Sequence, residues 1–183
     1  MFMILHLCCA PCALPIIEHL LIEQKVKDIT LYFYNPNIFP KQEYQKRLKD
    51  VEKIAKIYKL KLIKGLYEHD KWLDYIKKLL PKSPEKYPEN SERCLKCFEF
   101  RLENTAQCAR KMKFKEFGAT LSVSLYKNTR QIKRIGKQLA RKYGLIYRPF
   151  NLNPKKAYQA SLKISKNQNL YRQKYCGCEF SMI

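Results

Sequence analysis

Apolar residues run almost unbroken through "FMILHL" near the start of the chain, and β-branched and aromatic residues do so again in "ITLYFYN". Short continuous runs of this kind predict buried strands, and the apolar stretch between them, "LPIIEHLLIEQ", predicts a helix. Strand, helix and strand in that order are most easily built parallel, with a right-handed crossover. After "NPNIFP", Tyr44, Leu48, Val51, Ala55 and Tyr58 recur every three or four residues and predict a long amphipathic helix. "LKLIKG" then reads as a third strand.

Pro81, Pro84 and Pro88 crowd the charged stretch "PKSPEKYPENSE", which cannot continue a helix. It reads as a functional loop rather than a domain linker, because cysteines follow at once. Leu95, Phe98, Leu102, Thr105, Ala109 and Met112 mark one face of the next helix. "GATLSVSLY" predicts a fourth strand, Ile132, Ile135, Leu139 and Tyr143 another helix, and "LIYRPF" a fifth strand. The tail "AYQASLKISKNQNLYRQKYCGCEF" reads as a polar helix followed by a cysteine pair. Such alternation predicts one α/β domain over residues 1–183, an open parallel sheet with helices on both faces and a cysteine-bearing C-terminal tail. Ligands of such sheets sit outside the carboxyl ends of the strands, where "HLCCAPC" lies. No glycine-rich phosphate loop follows the first strand, which argues against a dinucleotide or P-loop site.

Composition narrows the function. Hydrophobic residues are 46% of the 183, so disorder is excluded, and no apolar run is long enough to span a bilayer. With no secretory signal pattern at the start, the expected location is the cytoplasm. Lys and Arg number 37 against 16 acidic residues, a net charge of +21 spread over the chain, which favours a polyanionic partner such as nucleic acid. In a reducing compartment, eight cysteines point to metal or redox chemistry rather than cross-links.

The cysteines fall into groups. Cys8, Cys9 and Cys12 stand where a helix begins, and free amides there stabilise thiolate. Cys94 and Cys97 form a C-x-x-C after the proline-rich loop, able with a distant partner group to hold a metal or cluster. Cys176 and Cys178 flank Gly177, a spacing that can clamp a metal or close a strained, labile disulfide. Cys108 stands alone on an apolar helix face and reads as core. Seven thiols exceed the needs of one structural zinc; a cluster with a neighbouring redox pair or second metal uses nearly all of them. Beside the cysteines, His6, Tyr175 and Glu179 are candidate proton donors. "LYFYNPN", "SLYKNTRQIKR" and "YRQKY" interleave aromatic and basic or amide residues, as recognition of splayed RNA bases requires.

Five ordered blocks, "LHLCCAPC", "FYNPNIFPKQEY", "ERCLKCFEFRLENTA", "SLYKN" and "YRQKYCGC", resemble the successive motifs of the cobalamin-independent epoxyqueuosine reductases, the QueH family, over almost the whole chain. The resemblance implies a HUP-like (nucleotide α-hydrolase-like) fold and the last step of queuosine synthesis, reduction of the epoxide of epoxyqueuosine at the tRNA wobble position to an alkene. It implies a [4Fe-4S] cluster held by Cys8, Cys9, Cys94 and Cys97. Cys176 and Cys178 are then either the redox-active pair or ligands of a second iron, and Cys12 either a further metal ligand or without a role. Partners would be tRNA and an electron donor. Two other readings remain beside it, a non-catalytic zinc-bearing RNA-binding module and a thiol-based tRNA sulfur transferase.

Overall fold

A computed structural model describes residues 2–26, 28–124 and 127–182. Five parallel strands form one sheet in the order β3-β2-β1-β4-β5: β1 (Phe2–His6), β2 (Asp28–Phe33), β3 (Lys61–Lys64), β4 (Glu116–Ala119) and β5 (Ile146–Tyr147). Six α-helices accompany them: α1 (Ala10–Glu18), α2 (Lys41–Ile57), α3 (His69–Leu79), α4 (Glu92–Lys111), α5 (Thr129–Tyr143) and α6 (Pro154–Asn167). Successive side chains of a strand point to opposite faces. Met3 and Leu5 accordingly enter a core with α1, α2 and α6, while Ile4 enters a second core with α4 and α5. Being covered on both faces is why β1 and β2 read as unbroken apolar runs.

Two predicted elements differ from the structure, and one helix is absent from the prediction. The fourth strand stops at Ala119, and the chain turns into a 3₁₀ helix at Thr120–Val123; Leu125 and Tyr126, which the sequence reading gave to that strand, lie outside the described residues. The fifth strand is only two residues long, since it occupies the sheet edge and Pro149 cannot donate to a ladder. α3 was not expected from the pattern at all. It packs on α4 and buries Trp72 and Ile76, an i, i+4 pair among charged neighbours.

Gly136 shows how closely α5 approaches the sheet. A β-carbon there would overlap the buried Tyr147 ring, which packs edge-on against Phe117. Alanine normally stabilises a helix interior by about 1 kcal/mol over glycine, but overpacking a closed core costs roughly 1–3 kcal/mol. Gly136→Ala is therefore expected to lower stability, read as a reduced urea midpoint.

Candidate metal centre

The strand order reverses direction at β1, so a crevice opens between the carboxyl ends of β1 and β4. The chain leaves β1 through Cys8 and Cys9 and places Cys12 in the first turn of α1. The Sγ atoms of Cys8, Cys9 and Cys12 all lie within 4.8 Å of one another, the one such trio of Cys, His, Asp or Glu donors among the described residues. Cys8 is held below the ordinary thiol range by hydrogen bonds from Cys12 and then Cys9, with Lys127 and Arg101 adding positive charge. The same contacts push Cys12 up. Gln173 Nε2 donates to Cys9 Sγ at 3.0 Å.

Cys94 and Cys97 occupy the first turns of α4, so neither belongs to that tight trio. The Asn90 amide donates to Cys94 Sγ at 3.3 Å. Burial pushes Cys97 up to about 12 and Cys178 to about 11, and the two pack in one apolar cluster with Trp72, Ile76 and Leu80. Burial likewise raises Cys94, and the apolar cluster that Cys97 shares with Cys178 sets the C-x-x-C beside the C-terminal pair. Cys108 lies 14 residues beyond Cys94 on the same helix, about 21 Å along its axis, half-buried against the core as expected.

The C-terminal pair is held firmly. Arg47, 2% exposed, donates through Nε to Glu43 Oε1 (2.7 Å), through one Nη to the Cys176 carbonyl (3.0 Å) and through the other to the Tyr175 carbonyl (3.3 Å). The Phe39 amide donates to the Gly177 carbonyl at 2.7 Å, and Arg93 lies over the Phe180 ring and reaches its carbonyl. Gly177 has φ 131°, and a β-carbon there would press on Ile38 and the Arg47 guanidinium, so both the turn and the clamp require glycine.

Cys8, Cys12 and Cys176 meet at a cavity of about 530 Å³, lined also by Glu89, Lys127, Ser161 and Arg172. Although burial opposes its charge, Lys127 is held above the usual lysine range by the thiol groups of Cys176, Cys8 and Cys12. Of the expected proton donors, Tyr175 lines this cavity, with its hydroxyl donating to the Phe39 carbonyl. Glu179 lies 3.5 Å from His69. His6 is a core residue: burial first, and Arg101 second, lower it to about 3, and its Nε2 is 3.0 Å from the Tyr34 carbonyl. Tyr32, Phe33 and Tyr34 are also buried, which removes "LYFYNPN" from the residues able to stack on a base.

The donor set of Cys8, Cys9 and Cys12 fits a metal. Cys8, Cys9 and Cys12 form one tight group of soft thiols, Cys176 shares the cavity with Cys8 and Cys12, and Arg101, 1% exposed, lends positive charge to Cys8 and Cys97. Among the described residues its guanidinium donates to Asn35 Oδ1 (2.5 Å), its Nε has no partner, and no carboxylate pairs with it. A buried cation without a counter-charge is strongly unfavourable, and thiolates carrying a cluster would supply one. Sequence reading missed Arg47, Arg93 and Arg101, although two of them left a mark. Arg47 falls between Tyr44 and Val51, and Arg101 between Phe98 and Thr105, on faces otherwise reserved for the core.

A family model described as "Epoxyqueuosine reductase QueH" matches residues 3–183. A protein of that name from Thermotoga maritima is 39% identical over 183 residues, covering 98% of this chain and 90% of its own. The Haemophilus influenzae protein of the same name is 36% identical over 98% of this chain and 71% of its own, and that of Staphylococcus epidermidis 35% over 98% and 76%.

Proposed function

Because the chain belongs to the epoxyqueuosine reductase QueH family, we propose that it reduces epoxyqueuosine at the wobble position of tRNA to queuosine. The observation that carries this reading, beyond membership, is the meeting of Cys8, Cys12 and Cys176, from two of the three cysteine groups, at a cavity of ligand-binding size near the strand ends. Reduction of the epoxide to an alkene breaks both C–O bonds, consumes two electrons and two protons, and releases water.

In this reading Cys8, Cys9, Cys94 and Cys97 hold a [4Fe-4S] cluster. Cys12, within 4.8 Å of Cys8 and Cys9, is placed to ligate a metal in the same crevice. A cluster supplies single electrons, and a second iron would supply a Lewis acid for the departing oxygen. The protein's own residues do the rest. Lys127, kept protonated beside the thiols, lines the cavity and would serve as a hydrogen-bond donor for an oxygen acquiring negative charge. The clamp formed by Arg47, Arg93 and Phe39 fixes Cys176 at the cavity wall, and Tyr175 and Gln173 close the wall beside it.

Anaerobic incubation with epoxyqueuosine-containing tRNA and a chemical reductant should yield queuosine, read as loss of one oxygen from the nucleoside by mass spectrometry. Protein loaded with iron and sulfide that leaves the nucleoside unchanged would refute the reading. The Cys176→Ser/Cys178→Ser double variant is expected to keep the cluster but not complete turnover. If the pair works as a dithiol, wild-type protein trapped after one turnover should show both thiols protected from alkylation; if the pair ligates a second iron, the double variant should lose about one iron per chain.

A further inference from the structure

The cationic excess is spread along the chain, but the acidic residues are not. Between Glu116 and Glu179 there are fourteen Lys and Arg and no Asp or Glu. Part of this segment forms α5, whose apolar face, with Ile132, Ile135 and Leu139, is turned into the core. Arg130, Arg134, Lys137 and Arg141 recur at intervals of four, three and four residues, which places them on one face of that helix. All four are exposed. At 1.5 Å per residue the stripe spans about 16 Å. It starts immediately beyond Lys127, which lines the cavity holding Cys8, Cys12 and Cys176.

None of the four side chains makes an ion pair or a hydrogen bond with another side chain among the described residues. Their neighbours differ: Lys133 donates to Asn151 at 2.6 Å, and Lys142 pairs with Glu103 at 2.5 Å. Like charges three and four residues apart repel and weaken a helix on its own. A merely solvated face would normally interleave both signs, as the lysine groove along α2 does, where Lys46, Lys49, Lys53 and Lys56 share the surface with Asp50 and Glu52.

We propose that the stripe Arg130, Arg134, Lys137 and Arg141 is the track for the sugar–phosphate backbone of the RNA, leading from the cavity along α5; this rests on the tRNA reading above. The bound base enters at Lys127, and successive phosphates of the strand follow the helix away from the cavity.

The test compares two variants that each remove two positive charges, Arg134→Gln/Lys137→Gln on α5 and Lys46→Gln/Lys49→Gln on α2, with circular dichroism as the check on folding. Affinity for unmodified tRNA is measured by filter binding across a salt series. Each lost phosphate contact should flatten the log K against log salt slope by roughly 0.7–0.9. The α5 variant is expected to bind about tenfold more weakly and lose about 1.4–1.8 from its slope, with the α2 variant within about twofold of wild type. Equal losses in both variants, or a larger loss on α2, would overturn the track while leaving the substrate reading intact. Wild-type protein with no salt-dependent tRNA binding would overturn both.

Discussion

Cys94→Ser and Cys97→Ser are expected to lose bound iron and turnover together while remaining folded. In the proposed role both thiols hold the cluster, and a serine oxygen is a harder and less easily ionised donor than thiolate. The cost to the fold differs between the two. Cys97 packs among Trp72, Ile76 and Leu80 with no hydrogen-bonding partner for a hydroxyl evident in that cluster, so burying one there should cost about 1–3 kcal/mol. At position 94 the Asn90 amide is already aimed at the side chain, so serine keeps an acceptor in place and the loss should be smaller. Either cost is tolerable against the roughly 5–15 kcal/mol stability of an ordinary domain. Iron and sulfide assays, thermal melts and the anaerobic tRNA assay together decide the matter. A Cys94→Ser protein that retains full iron, sulfide and activity would remove Cys94 from the ligand set.

Arg47→Met should have the largest effect on stability of any single change at the site. The guanidinium is buried beside Glu43 and lies over the Tyr175 ring at 5.4 Å. Among the described residues, removing it leaves the buried Glu43 carboxylate with the Tyr171 hydroxyl (2.8 Å) as its remaining side-chain partner and takes the guanidinium away from two carbonyls of the tail. Breaking one side of a buried pair costs about 3–5 kcal/mol, which should appear as a lower urea midpoint. Cys176 and Cys178 should also alkylate faster as the tail loosens. Adding Glu43→Gln removes the stranded charge and should restore part of the stability but not the slow alkylation, because the carbonyls remain unpaired. Recovery of both would reduce Arg47 to a partner for Glu43 and deny it a role in holding the tail.

How much of this could be read from the chain depended on the scale of the signal. β1, β2, α2 and α4 follow from runs and periodicities that burial imposes directly, so their order and the parallel sheet were legible. α3 was not, because Trp72 and Ile76 are the two fully buried positions of a short helix in which Asp70, Lys71, Asp74, Lys77 and Lys78 break up the apolar pattern. The three cysteine groups were legible as chemistry, but how they would meet was not: only the fold shows Cys176 at the cavity that Cys8 and Cys12 line, and Cys97 beside Cys178. The buried arginines illustrate the remaining limit. Their positions on apolar faces could be recognised, yet what each one grips depends on residues tens to more than a hundred positions away, as with Arg47 and the carbonyl of Cys176.

The clamp on the C-terminal tail takes hold of main-chain oxygens: those of Tyr175 and Cys176 by Arg47, of Gly177 by the Phe39 amide, and of Phe180 by Arg93. Carbonyls are the same whatever side chain they carry and whatever state that side chain is in. The anchorage is thus insulated from the sulfur chemistry, and Cys176 and Cys178 can gain or lose a proton, a metal or a partner sulfur without any of these four hydrogen bonds being asked to change.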